Sequence, residues 1–434
     1  LPVEVGAAII GPTVKGPVEQ PTVVTSFSDY KRKFGTTFLS GSDNFEFLTS
    51  ISAQKFFANG GNSMLVTRVV SGAFTSAQST TVAASSGSAN VFTLKTIGKG
   101  DIFNNATASS DPGTQFSDGS LVSGSQDNLR FAISGINNSA GTFNLEIRRG
   151  DDNTINTNIL ETYIGVNLDP ESDNYIAKRI GDQFTTVTSY ENQEMVVVSG
   201  DNPNVSRYVY VGSVSKQTPQ YLNNDGSVAT NAANFSLSGS LPSAQSGSFF
   251  NAAGSIIPSG RAGFYFDKIT GVDTQGLQAD SYTKAINILG NKDEYRFNTI
   301  TAPGIYNEDY ATTVNLLVEM CETRGDAFYV ADLVKYGSTV ATTTTEAGEL
   351  NTNFAGAYWP WIQTPSTELS QNVWAPASTV MQGVYAFNDN VAAPWFAPAG
   401  LNRGGIPATR AEIKLTQGLR DTLYDAKVNP IATF

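Results

Sequence analysis

The spacing of apolar positions along this chain changes twice, near residue 75 and again near residue 271. Residues 6–11 (GAAIIG) are a short apolar run followed by Pro12 and Pro17, which predicts a strand and a turn. Residues 22–27 (TVVTSF) are rich in β-branched side chains and predict a second strand. Ser28 and Asp29 then read as the N-cap of a short helix through Phe34, closed by Gly35. Over residues 45–57, Phe45, Leu48, Ile51, Ala53 and Phe56 recur near the helical period. Asn59-Gly60-Gly61 ends that helix, because glycine accepts the left-handed C-cap. Residues 64–70 (MLVTRVV) predict a buried strand.

From about residue 76 the period drops to two. Residues 90–94, 129–133, 143–147, 195–198 and 208–211 are short alternating or β-branched runs between Gly, Asn and Asp turns. That pattern predicts an all-β sandwich or barrel. One helix is expected near residues 173–181, after the turn at Asp169-Pro170-Glu171. Residues 224–260 are low in charge and rich in Ser, Ala, Asn and Gly, and read as a surface excursion of the β region.

The mixed pattern returns after residue 271. Residues 280–289 predict a helix with Tyr282, Ile286 and Leu289 on one face. Residues 297–301 predict a strand ending at Ala302-Pro303-Gly304. Residues 309–324 predict a helix with Val314, Leu317, Val318 and Cys321 inward, and residues 327–332 a further strand. A Thr-rich stretch follows, then residues 357–362, a strand interrupted at an edge by Pro360. A helical segment with Val384, Tyr385 and Phe387 gives way to a loop at Asn388-Asp389-Asn390. Residues 409–427 predict a last helix with Ala411, Leu415, Leu419 and Leu423 as its inward stripe. Arg410, Glu412, Lys414, Gln417, Arg420 and Asp421 lie off that stripe, as on a solvated face. The fold class expected is mixed α/β (α+β). Residues 1–75 plus 271–434 form a discontinuous core domain, and residues 76–270 an inserted sandwich- or barrel-like β domain. That insert is divisible into subdomains at about 76–196 and 197–270.

Composition narrows the chemistry. The chain has no histidine, which removes Ser–His and Cys–His nucleophilic systems and His-ligated metal sites. Its one cysteine, Cys321, excludes an intramolecular disulfide and reads as a packing residue. No phosphate-binding GxxxxGK[ST] and no GxSxG is present. No catalytic residue, cofactor or metal is therefore assigned, and a structural protein is expected rather than an enzyme. The net charge of −12 disfavours direct binding to nucleic-acid phosphates and favours solubility. No apolar run approaches the length of a membrane helix, so no stable membrane insertion is expected. Nothing after Leu1 resembles a signal peptide.

Trp359, Trp361, Trp374 and Trp395 allow a ligand-stacking reading, but packing in the core and at interfaces is the simpler one. Trp395, among Pro394, Phe396 and Pro398, suits a stiff loop packed over a sheet end. Arg403 sits between Asn402 and Gly404-Gly405. It reads either as part of an anion-binding nest or as a structural arginine tying its loop to the core or to a neighbouring subunit.

The last fifty residues carry a denser pattern: Asp389, Trp395, Ala397-Pro398-Ala399-Gly400, Asn402-Arg403-Gly404, Arg420-Asp421, Leu423-Tyr424 and Asn429-Pro430. In this order they resemble the core of contractile-tail sheath proteins, the subunits that sheathe the tail tube of contractile bacteriophages. Phe56-Phe57, Asn59-Gly60-Gly61 and residues 65–70 resemble that family's amino-terminal core. Residues 98–105 and 161–180 are similar to parts of its inserted domain, and equally read as ordinary β-domain turns. The resemblance implies a helical sheath of stacked rings in a phage virion, made in the host bacterial cytoplasm. Its implied partners are further copies of the chain, a tail tube protein, and baseplate and tail terminator proteins. It implies that Arg410, Lys414 and Arg420 reach the tube, with Asn402, Arg403 and Asp421 as further tube or inter-subunit contacts. The family's two terminal arms and its further terminal domain have no counterpart here, so a core fragment is expected. A surface adhesin or carbohydrate-binding protein is the rival suggested by the Ser/Thr/Asn-rich β region and the tryptophans. A hydrolase with paired carboxylates is a third.

Overall fold

The computed structural model describes residues 3–40, 43–101, 128–152, 155, 157–190, 193–229, 241–254, 256, 265–271, 273–393 and 395–433. Half of the 98–105 motif and part of the 224–260 excursion lie outside these residues. The chain divides into two compact units. One comprises Leu1–Ser71, Val187–Met195 and Ile256–Phe434, and the other Gly72–Thr186 and Val196–Ser255.

The first unit is built on a seven-stranded sheet. Its strands, in spatial order, are Thr22–Val24, Met64–Arg68, Val3–Gly11, Tyr295–Tyr306, Phe328–Asp332, Ala355–Trp359 and Asn429–Pro430. All neighbours run parallel except Thr22–Val24, which pairs antiparallel with Met64–Arg68. Parallel sheets are covered on both faces, so their strands read as unbroken apolar runs. Ala7, Ala8, Ile9 and Ile10 show this: all four are buried although neighbours point to opposite faces. On one face Ala7, Ile9, Met64 and Val66 pack with Tyr30 and Phe34 from the Phe27–Phe34 helix. Ala53 and Phe56 from the Leu48–Ala58 helix join the same cluster.

Local chemistry explains where several elements start and stop. The Phe27–Phe34 helix is capped by Ser26, whose hydroxyl accepts from Asp29 N, two residues before the expected cap. The Leu48–Ala58 helix starts later than its periodicity suggested, because Asp43–Glu46 pairs with Thr37–Ser40 as a small hairpin. The central strand Tyr295–Tyr306 does not stop at Pro303. The register slips between Thr301 and Tyr306, and this irregularity accommodates a residue with no N–H to give. Gln275 donates to the Pro303 carbonyl at 3.1 Å and Thr274 to that of Gly304 at 2.7 Å. The Thr-rich stretch is a helix, Val340–Glu349. Thr339 caps it, and the hydroxyls of Thr343, Thr344 and Thr345 return to carbonyls one turn back.

The Ser378–Val391 helix runs straight through the expected loop at residues 388–390. It lies close to the Leu48–Ala58 helix at Gly383, where an added Cβ would stand 2.7 Å from the Lys55 carbonyl oxygen. Only glycine permits that approach.

The second unit is a seven-stranded sheet with every neighbour antiparallel. Its order is Ile159–Asn167, Thr142–Arg149, Leu129–Asn137, Gln245–Phe250, Ser76–Ser79, Phe92–Lys99 and Val209–Val214. Along Phe92–Lys99 buried and half-buried residues alternate, as the period of two over residues 92–94 leads one to expect. Tyr163 and Val166 from one edge strand and Val209 and Val211 from the other belong to a single apolar cluster. The sheet therefore curls around one core as an open half-barrel. The short helix Ile176–Ile180 packs Ile176, Ala177 and Ile180 into that cluster.

Candidate functional surface of the C-terminal segment

The residues singled out in the last fifty positions are carried by three pieces of backbone. The first is the loop between the Ser378–Val391 helix and the two-residue strand Arg410–Ala411. The second is that strand with the extended stretch after it. The third is the Gln417–Asp425 helix. The single long helix expected over residues 409–427 is not formed. Arg410 and Ala411 instead pair antiparallel with Gln363 and Ile362, and Thr416 caps a shorter helix by accepting from Leu419 N. The Ala411–Leu415–Leu419–Leu423 stripe is accordingly broken. Leu423 is fully buried and Leu415 nearly so, but Leu419 is only half-buried.

Arg410 is exposed, donates to Gln363 Oε1 at 3.0 Å, and holds its guanidinium 4.9 Å from the Trp374 ring centroid. That stacking leaves the charge facing solvent while its planar group lies on an aromatic face. Lys414 is exposed on the stretch before the last helix. On the helix itself Gln417 joins two candidates, accepting from Arg420 Nη2 at 2.5 Å and donating to Asp421 Oδ1 at 2.8 Å. Glu412 does not belong to the solvated face. Its backbone N–H donates to the Trp361 carbonyl, and its Oε1 accepts from Gly337 N at 2.6 Å. Burial raises its carboxyl above the ordinary range.

The loop is ordered by its own contacts. Asn388, almost fully buried, donates to the Phe396 carbonyl at 3.0 Å, and Gly404 N donates to Gly400 O at 2.8 Å. A Cβ on Gly404 would lie 2.7 Å from Ala399 Cα, so the loop closes on itself only with glycine there. Arg403 stands 4.8 Å over the Phe396 ring, tying the two ends of the loop together, and Asn402 beside it is exposed. Trp395 is not packed over a sheet end as expected: it is 83% exposed, and Leu401 is 81% exposed. Pro398 and Gly400 turn the backbone so that these side chains point away from the unit. No periodicity in the sequence could reveal this, since the segment is neither helix nor strand.

The other tryptophans are held by the fold. Trp359 and Trp361 are buried, with Trp361 Nε1 donating to the Val334 carbonyl at 2.9 Å. Trp374 and Trp361 both pack against Tyr336. Cys321 is buried, and its thiol is pushed up to about 12 by desolvation. Among the described residues no cluster of three or more Cys, Asp and Glu side chains is placed to hold a metal ion. None of their helices is long and apolar enough to cross a membrane.

No family model matches the chain. It is 38% identical over 65 residues to a tail sheath protein of Vibrio phage KVP40. It is 39% identical over 61 residues to a tail sheath protein of Enterobacteria phage T4. The matched stretches are 15% and 14% of this chain, and the chain spans 10% and 9% of the length of these relatives. Among solved structures, a sheath tail protein from Listeria innocua shares the fold at 8% identity, with a TM-score of 0.51, over the whole of this chain and 66% of that one. Both phage relatives are tail sheath proteins, and these partial matches support a tail sheath family for the chain.

Proposed function

We propose that the chain is the structural subunit of a contractile phage tail sheath. In this reading it polymerises around a tail tube and repacks by rigid-body movement to drive the tube through the host envelope. The observation that carries the reading is the local identity to two phage tail sheath proteins. The absence of histidine, and with it of the common nucleophilic and metal-binding sets, supports a mechanical role over an enzymatic one.

The half-barrel unit takes the part of the inserted, protruding domain, and the parallel-sheet unit that of the sheath core. Arg410, Lys414 and Arg420 face the tube, and Asn402, Arg403 and Asp421 serve tube or subunit contacts. The partners are further copies of the chain, the tube protein, and the baseplate and tail terminator proteins, all within the virion. The extended sheath is a kinetic trap whose lifetime is set by a barrier. Electron microscopy of the protein mixed with its tail tube protein tests this. Tubes of even, increased width are expected. Bare tubes beside dispersed protein, under conditions that keep both folded, would reject it.

A further inference from the structure

The hairpin formed by Ile362–Ser366 and Gln371–Ala375 is fastened differently at its two ends. At its base, Ile362, Val373 and Ala375 are buried apolar residues. At its tip, from Pro365 to Ser370, Ser366 is the one buried side chain. Polar contacts therefore hold the tip, and they come from residues at least 310 positions earlier in the chain. Lys55 Nζ donates to the Pro365 carbonyl at 2.6 Å, and Gln54 Nε2 donates to Thr367 Oγ1. Lys31 and Thr36 donate to the two carboxylate oxygens of Glu368 at 2.6 and 3.1 Å. Glu46 is the fifth partner, and it is fully buried. Its Oε2 accepts from Ser366 Oγ, and its Oε1 accepts from Ser50 Oγ at 2.6 Å. Ser366 Oγ accepts in turn from Leu369 N at 3.0 Å, so the hydroxyl that reaches Glu46 also closes the turn.

Both donors to Glu46 are neutral hydroxyls, whereas a buried carboxylate is stable only with a cation or several strong donors against it. The charged groups that face it supply no cation. Lys55, on the Leu48–Ala58 helix, gives its ammonium to Pro365. Glu368, on the turn, is itself acidic and pairs with Lys31 of the Phe27–Phe34 helix. Tyr30 of that helix is fully buried, and burial keeps its phenol neutral. Arg68, whose charge reaches Tyr30, donates to the Gly16 carbonyl at 2.8 Å. The site suits the neutral acid and offers an ionised one no compensating charge. We propose that Glu46 is a proton-operated latch on the hairpin tip. Protonated, it keeps Ser366 and the turn against the Leu48–Ala58 helix. When its proton leaves to solvent, the carboxylate becomes hydrated only by parting from Ser366, and the tip lifts while the apolar base stays. Ile362 and Gln363 in the base strand pair with Ala411 and Arg410, so the latch sets how firmly the strand partner of Arg410 is held. The latch is independent of the sheath reading, because it is built wholly from this chain's own residues.

Hydrogen–deuterium exchange on the full chain tests it, read by mass spectrometry between about pH 5 and 8 and corrected for intrinsic exchange. Opening of residues 366–371 should rise about tenfold per pH unit, the slope for release of one proton, and level off above about 7. Residues 64–68, in the middle of the parallel sheet, should exchange far more slowly throughout. Glu46→Gln, neutral at every pH, should remove the slope. Glu368→Gln should raise opening by a constant factor and keep the slope, since it weakens the Lys31 tether and leaves the latch. Asp332→Asn, at another buried carboxyl raised by burial, should also keep it. A tip whose corrected exchange does not change with pH overturns the proposal. So does a slope that Glu46→Gln leaves in place, or exchange at the tip no faster than at residues 64–68. If Glu46→Gln does not fold, Ser366→Ala decides. It removes the turn's hold on Glu46 and should leave the tip open at every pH, and a slope retained there overturns the latch.

Discussion

Asp332, the last residue of its strand, holds Ser378, the first residue of the helix that leads to the candidate surface. Its carboxylate accepts from Ser378 N at 3.1 Å and from Ser378 Oγ at 2.5 Å. The pair is buried. Desolvation pushes the Asp332 carboxyl up to about 7, against the lowering effect of the two hydrogen bonds. Glu46, buried between Ser50 and Ser366, is likewise raised to about 7, chiefly by burial.

These two carboxyls make stability depend on pH in the direction opposite to most acidic groups. Each binds a proton more tightly folded than unfolded. Its contribution is therefore complete below the unfolded value near 4 and is lost as pH rises through about 7. Urea titrations from pH 4.5 to 7.5 should show each group lowering stability with a slope of up to about 1.4 kcal/mol per pH unit. Asp332→Asn and Glu46→Gln should each flatten the curve. An unchanged slope in both would show that neither carboxyl titrates in this window.

The last helix is anchored by one side chain. Leu423 is fully buried against a cluster that includes Trp359, Val334 and Val428. Leu423→Ala should cost about 2–5 kcal/mol, while Tyr424→Ala, at a 73% exposed residue, should stay within about 0.5 kcal/mol. Leu419→Ala should fall between them, because Leu419 is half-buried. Equal losses at 419 and 423 in thermal melts would restore the continuous stripe that the structure breaks.

Charge reversal separates folding from assembly. Arg410 and Lys414 are exposed, and Arg410 adds only a stacking contact with Trp374 and a hydrogen bond to Gln363. Arg410→Glu with Lys414→Glu should lower stability by no more than about 1 kcal/mol and impair tube decoration seen by electron microscopy. Normal decoration by the double variant would remove these residues from the tube-facing set.

Two adjacent glycines should respond differently. Gly404 has Ala399 Cα within 2.7 Å of where a Cβ would sit, whereas at Gly405 the nearest atom is 3.7 Å away. Gly404→Ala should cost about 1–3 kcal/mol through displaced backbone, and Gly405→Ala should be nearly neutral. Matching melting temperatures for the two would show that the loop closes less tightly than described.

Much of the core was legible because its strands are buried on both faces, which leaves unbroken apolar runs such as residues 7–10 and 64–66. The starts of the helices Phe27–Phe34, Leu48–Ala58, Thr283–Leu289 and Asn307–Arg324 were legible to within a turn, and Ser26 displaced the expected cap because either serine suits the role. The failures share a cause. Arg410 leaves the expected helix for a strand partner 47 residues away, Gln363. The strand survives Pro303 because Thr274 and Gln275 satisfy its carbonyls. Trp395 faces outward because of how a Pro- and Gly-flanked loop is folded. None of these partners is visible in a local window of sequence. The order of the candidate residues could be read; their distribution over three backbone pieces could not.

In the parallel sheet, Ala7 pairs with Met64 on one side and with Thr299 on the other. The second partner lies 292 residues along the chain (299 − 7), so synthesis must continue for about 15–60 s after the first strand emerges before that pair can form. The antiparallel unit closes its ladders wholly within the intervening segment and can fold during the wait. The apolar run Ala7–Ala8–Ile9–Ile10 can pair early with Met64–Arg68, but its other edge stays open. The nascent chain thus carries a hydrophobic strand with one open edge until Tyr295–Tyr306 has been made, and that edge needs protection in the meantime.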